Sequence, residues 1–312
     1  YDSDAQKEYR KFGVIQKDAA NTYNFTHSET TITTDESTIN TLGNVVLNLN
    51  GNALKLVSGN EVPAIMANDN ITINGVGVLE ANNGIKVVKD KTATINLNGK
   101  ESELKADVLA GEGVVEVDLG YGTWIGDNAG NVVAYAGSWI GDNSNVVNFR
   151  GGDWTGNNSG IATLHEVTWT GDNTGTANFE YGRWHGDNHG TVILDGNEWQ
   201  GDNIGTVTFN KGEWTGTNSG EATIVNGTWN GDNSGTVSFN GGSWTGDNAG
   251  NGTVTVNATG WTGNNTGDAI LEGGTWNGTN SGIVTLNNGT WGGNNSDSGS
   301  VTLNGGEWTG NN

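Results

Sequence analysis

All thirteen tryptophans of this 312-residue chain fall on one clock, at Trp124, Trp139, Trp154, Trp169, Trp184, Trp199, Trp214, Trp229, Trp244, Trp261, Trp276, Trp291 and Trp308, 15 residues apart except for two steps of 17. Behind each one the chain writes Trp-x-Gly-[Asp/Asn/Thr]-Asn, from Gly126 and Asn128 to Gly310 and Asn312. Self-similarity on this scale signals stacked supersecondary units. The 53 glycines, the single proline and the heavy use of Asn and Thr suit short strands joined by tight turns and leave little room for helix.

The segment Trp199 to Glu213 shows what one unit contains. A short stretch around Trp199 leads into a turn at Gly201 to Gly205, a strand from Thr206 to Asn210, and a second turn at Lys211 and Gly212. Alternation along the strand sends Val207 and Phe209 to one side, opposite Trp199, and Thr206, Thr208 and Asn210 to the other. The same inward slots hold Val147 and Phe149, Ala177 and Phe179, Val192 and Leu194, Val237 and Phe239, and Val284 and Leu286. A core of three side chains cannot stand alone, so the rungs must stack, with two strands and two turns expected per 15-residue rung. At one slot Phe alternates with Leu or Ile (Phe149, Leu164, Phe179, Leu194, Phe209, Ile224, Phe239), which leaves a 30-residue coil as the alternative.

The first third keeps a different rhythm. Apolar pairs recur on a 24-residue period, at Tyr23 and Phe25, Leu47 and Leu49, Ile71 and Ile73, and Ile95 and Leu97. Three are followed by Asn-Gly turns, at Asn50-Gly51, Asn74-Gly75 and Asn98-Gly99. Two or three strands per 24-residue coil is parallel β-helix spacing. The expected organisation is an N-terminal cap or donated arm (1–19), a β-helix with 24-residue coils (20–120) and a Trp-repeat β-solenoid (121–312), all-β throughout and forming one continuous rod.

In these coils and in the Gly/Asn/Thr-rich repeats behind them the chain resembles the β-solenoid passenger regions of bacterial autotransporters and haemagglutinin-like surface adhesins. The resemblance implies secretion, an extracellular or cell-surface location, and a role in adhesion, matrix formation or self-association. No apolar run is long enough to span a bilayer, so no transmembrane segment is expected. The first residue, Tyr1, fits a processed product. The resemblance is to the passenger region and does not extend to the C-terminal membrane barrel usual in that class.

Net charge is −22, and residues 106–312 hold 22 of the 35 acidic groups against only Arg150, Arg183 and Lys211. That surface repels nucleic acid, which is excluded as a partner. With no cysteine, disulfides and thiolate metal sites are excluded as well.

The repeated Asn (Asn128, Asn143, Asn158, Asn173, Asn188, Asn203, Asn218, Asn233, Asn248, Asn265, Asn280, Asn295) is expected to bond the turn backbone and its own copies along the axis, as amide ladders do. The position before it carries Asp127, Asp142, Asp172, Asp187, Asp202, Asp232 and Asp247. Calcium bridging between stacked carboxylates is one reading; the other has them accept turn amides in solvent. The nonapeptide frame of calcium-binding repeats is absent. A Trp row exposed to solvent would bind surface glycans, whereas an inward row is core. Outward Thr pairs such as Thr206 and Thr208 resemble ice-binding arrays but are interrupted by Glu221, Asn148 and Ile193. His27, His165, His185 and His189 are scattered and no nucleophile lies beside a base, so no enzymatic activity and no obligate cofactor is expected.

The expected function is mechanical. The first reading is a surface-fibre subunit, polymerising with itself head to tail. The alternative is a monomeric adhesin shaft that contacts host or matrix glycans and proteins; a calcium-binding repeat protein and a polysaccharide-degrading enzyme are the remaining readings.

Overall fold

In a computed structural model, which describes residues 15–18, 21–296 and 298–312, every regular element is a β-strand. The chain divides into two compact units, Tyr1–Thr168 and Trp169–Asn312. Of the expected cap or arm, residues 1–14 and 19 lie outside the described residues.

The first unit opens with β1 (Ile15–Asp18), which pairs antiparallel with β2 (Thr22–Phe25). From β2 onward the pairings are parallel. The first coil comprises β2, β3 (Glu29–Thr33) and β4 (Ile39–Asn40), and each of them starts one face of a three-sided β-helix.

On the first face Tyr23 lies under Leu47, Leu47 under Ile73, Ile73 under Ile95, Ile95 under Val117, Val117 under Ala134 and Ala134 under Phe149. Residue number rises along that column by 24, 26, 22, 22, 17 and finally 15, so the coil tightens as it climbs. The uniform 24-residue period expected from sequence is corrected here. Leu47 stacks on Ile73 rather than Ile71, a two-residue slip that costs nothing because it keeps every side chain on its own face.

The second face carries Leu54, Leu79 and Leu104 and then passes to Trp124, Trp139 and Trp154. The third carries Ile39, Ile65 and Ile85, then Val108, Asn128, Asn143 and Asn158. As the coil shortens, branched aliphatics give way to one flat indole and one short amide, shapes that fill a narrower interior without voids.

The second unit repeats the tight rung. Trp184 pairs with Trp199, Trp199 with Trp214, Trp214 with Trp229, and so on to Trp291 with Trp308. Each step is one repeat, so the coil is a 15-residue unit, lengthened to 17 where the sequence inserts two, as between Asn248 and Asn265. The Phe and Leu alternation therefore runs from one single rung to the next: Phe179 lies under Leu194, Leu194 under Phe209, Phe209 under Ile224 and Ile224 under Phe239. The two-sided rung needs correction. A third side exists, reduced to one parallel bridge per rung, Asn173 to Asn188 to Asn203 and onward to Asn295. A one-residue strand has no alternation to read, which is why the sequence pattern shows only the other two sides.

Candidate functional site

Three parallel ladders dominate the tight rungs, and each is set by one sequence position. From Trp124 to Trp291 the indoles are at most 1% exposed. In the first unit Trp124 stacks on Trp139 and Trp139 on Trp154, at 4.6 Å between ring centroids and 5–7° between planes. In the second unit the column from Trp169 to Trp308 keeps centroids 4.5–5.0 Å apart and planes within 4–11°. Near-parallel rings at that separation are offset-stacked, a favoured arrangement for aromatic quadrupoles.

Each stacked ring is also anchored by its nitrogen. Trp139 Nε1 donates to the Gly126 carbonyl at 2.9 Å, and Trp199 Nε1 to the Gly186 carbonyl at 2.9 Å, each reaching the rung below. The glycine after Trp is what permits this. A Cβ on Gly201 would sit on the Gly186 carbonyl oxygen and 3.0 Å from Trp199 Nε1. The repeated Gly thus holds open the space in which the indole bond forms.

From Asn128 to Asn280 the Asn ladder is buried. Asn143 Nδ2 donates to Asn158 Oδ1 at 2.7 Å, and in the second unit Asn173 donates to Asn188 at 2.8 Å and Asn203 to Asn218 at 2.7 Å. Every link points the same way, toward the C-terminal rung. The second amide proton is used within the rung, as when Asn203 Nδ2 donates to the Gly205 carbonyl at 3.1 Å. These residues are 0% exposed, and a buried amide is tolerated only when satisfied in this manner.

The Asp column stands on the outer side of the same turn. Asp127 Oδ1 accepts the backbone N–H of Asp142 at 2.8 Å, Asp142 that of Asn157 at 2.7 Å, Asp172 that of Asp187 at 2.9 Å and Asp187 that of Asp202 at 2.8 Å. Asp202 takes the amide of Thr217 at 2.7 Å, Asp232 that of Asp247 at 2.8 Å and Asp247 that of Asn264 at 2.6 Å. Asn264 Oδ1 does the same for Thr279 at 3.0 Å. The position needs one short side-chain oxygen, which explains why Asp and Asn interchange there. Among the described residues no group of three or more His, Cys, Asp or Glu is arranged to hold a metal ion. His27, His185 and His189 are exposed and lie on separate turns or faces.

The regular pattern breaks at one interior corner, two residues before Trp, where most rungs have Gly and three carry Val167, Asn197 and Thr259. Asn197 is 1% exposed and neither atom of its amide has a hydrogen-bond partner; Thr259 Oγ1 is likewise unpaired. The replaced glycine was the signal available in the sequence. Outside the same corner Tyr181, at φ 53°, lies beside Lys211, whose Nζ is 5.0 Å from the ring centroid and 3.2 Å from Asp195 Oδ1. The Asp195 carboxylate, then the Tyr181 hydroxyl, hold the Lys211 ammonium above its ordinary pKa.

This architecture defines the chain as a parallel β-solenoid repeat protein. Comparison with family models, curated proteins and solved structures finds no match for it.

Proposed function

We propose that the chain is an extracellular structural protein, a stiff shaft segment of a cell-surface fibre. The observation that carries this reading is the rung-to-rung bonding of the interior. In the second unit Trp, Asn and the Val and Phe/Leu slots each meet their own kind in the next rung, so the fold is a self-similar stack with its chemistry spent on cohesion. The Asp column places one oxygen of each carboxylate on a turn amide of the next rung. Extracellular placement is supported by the repeats' resemblance to secreted surface solenoids and by an acidic surface that keeps strand edges soluble.

A monomeric shaft and a head-to-tail polymer differ in assembly state. Electron microscopy of purified protein tests this directly. Discrete particles at all concentrations support a shaft; unbranched filaments growing with concentration would replace it with the polymer. Labelling of intact cells with an antibody against the repeats tests the location, and signal only after permeabilisation rejects a surface role.

A further inference from the structure

We propose that the indole column of the second unit, Trp169 to Trp308, is a conduit for oxidising equivalents, carrying an electron hole from rung to rung. The partners are a one-electron oxidant at one point of the column and a one-electron reductant at another. The stacking that gives the rungs their cohesion also brings the indole π systems into register.

First, the rings are stacked at 4.5–5.0 Å with planes 4–11° apart, so π clouds of neighbours are in contact along the whole column. Second, the sites are nearly equivalent. Trp184, Trp199, Trp214, Trp229 and Trp244 each donate Nε1–H to a glycine carbonyl at 2.8–2.9 Å and are at most 1% exposed, so a hole gains or loses little energy on moving one rung.

Third, the proton stays in place. An indole radical cation is acidic at Nε1 and in water loses that proton, which traps the radical. Here the acceptor is an amide carbonyl, too weak a base to take it, and the ring is shut off from solvent. Each hop is therefore a bare electron transfer: the neutral neighbour gives one electron to the radical cation, no bond forms or breaks, and both Nε1–H groups persist. Fourth, the surrounding charge has the right sign, since residues 106–312 carry 22 acidic against 3 basic groups. A negative protein field stabilises a cationic hole.

The chain has no cysteine, so one introduced thiol gives a unique labelling point. Thr215→Cys, exposed beside Trp214, is labelled with a ruthenium polypyridyl complex and illuminated with a cobalt(III) ammine as sacrificial electron acceptor. The Ru(III) formed takes one electron from Trp214. Proteolysis and mass spectrometry then map where oxygenated indole products accumulate in air. The expected result is oxidation at Trp308, the most exposed indole of the column, distant from the label.

The same label in a Trp261→Phe background should lose products at Trp276, Trp291 and Trp308 and confine them to Trp169–Trp244. Phe keeps an aromatic ring at the position, and a Phe ring already stacks on an indole in this interior, Phe239 on Trp244 at 5.4 Å and 18°. Trp276→Phe is the second interruption, in case Trp261→Phe does not fold, and should confine products to Trp261 and below. Products confined to Trp214 in the uninterrupted protein would overturn the proposal, as would equal oxidation of Trp308 with and without the gap.

Discussion

The side-chain amide of Asn188 donates to the side-chain carbonyl of Asn203 at 2.8 Å, and both residues are completely buried. Because Asn203 in turn donates to Asn218, one substitution breaks two links. Asn203→Ala leaves a buried donor on Asn188 and a buried acceptor on Asn218, at about 1–3 kcal/mol for each group. A loss of roughly 2–6 kcal/mol is expected, read as a lower urea midpoint. Asn203→Asp should cost at least as much, since it buries a charge and removes the donor to Asn218. A midpoint unmoved by either change would show that the ladder is decoration.

Trp214 tests the second ladder. Trp214→Ala removes a ring stacked on both sides and its bond to the Gly201 carbonyl, and about 3–5 kcal/mol is expected for a buried Trp. Trp214→Phe should recover part of that by restoring the packing while leaving the Gly201 carbonyl without its donor. In the unmodified protein, tryptophan emission should be blue-shifted and resistant to iodide. Emission quenched like that of free indole would contradict a dry interior.

Glycine substitutions separate crowding from backbone strain. Gly201→Ala drives a methyl onto the Gly186 carbonyl and the Trp199 nitrogen, so the gain in chain stiffness that Gly→Ala normally brings is overwhelmed. Gly151 has positive φ (74°) but nothing within 4 Å of a built Cβ. Gly151→Asn, which tolerates left-handed φ, should therefore cost no more than about 1 kcal/mol, whereas Gly201→Ala should cost about 3 kcal/mol or more. Thermal melts of the two variants side by side decide the ordering.

The tryptophan clock makes the rung length legible, and the repeated Gly and Asn carry the chemistry of turn and ladder residues in the sequence itself. What escaped were features without periodicity. The Asn side of the rung is one residue long, too short to alternate. The slip that sets Leu47 on Ile73 is silent because a shift by two leaves inward residues inward. The tapering of the coil, from the long step between Leu47 and Ile73 to the short one between Ala134 and Phe149, arises from turns that lengthen or shorten between strands, and turn length carries no facing information. The Asp column was legible only as two alternatives. Which oxygen takes which amide depends on the rise between rungs, a quantity no linear pattern contains.

Salt and calcium distinguish those alternatives in solution. With a net charge of −22, raising potassium chloride from low ionic strength to about 0.15 M should raise Tm by screening repulsion between acids, most of it exposed. Asp172 and Asp187 each already use Oδ1 on a neighbouring amide, so calcium at matched ionic strength should add nothing and a chelator should leave Tm unchanged. A calcium-specific rise of several degrees, saturating at low concentration, would restore the bridging-cation reading.

Asn197 offers a prediction of the opposite sign. Its amide is buried with neither atom hydrogen-bonded, at a corner where the repeat normally places glycine and where Val167 occupies the same position in an earlier rung. An unsatisfied buried amide costs about 1–3 kcal/mol, so Asn197→Val, which keeps most of the volume and removes the polar atoms, should stabilise the protein by about that amount. Asn197→Gly removes the polar cost too but opens a cavity and loosens the unfolded chain, so its gain should be smaller. The ordering Val above Gly above Asn in urea midpoint follows from packing and desolvation alone. If Asn197 instead proves the most stable of the three, the amide must be satisfied by a water sealed into the corner, and a high-resolution density map of that corner would show it.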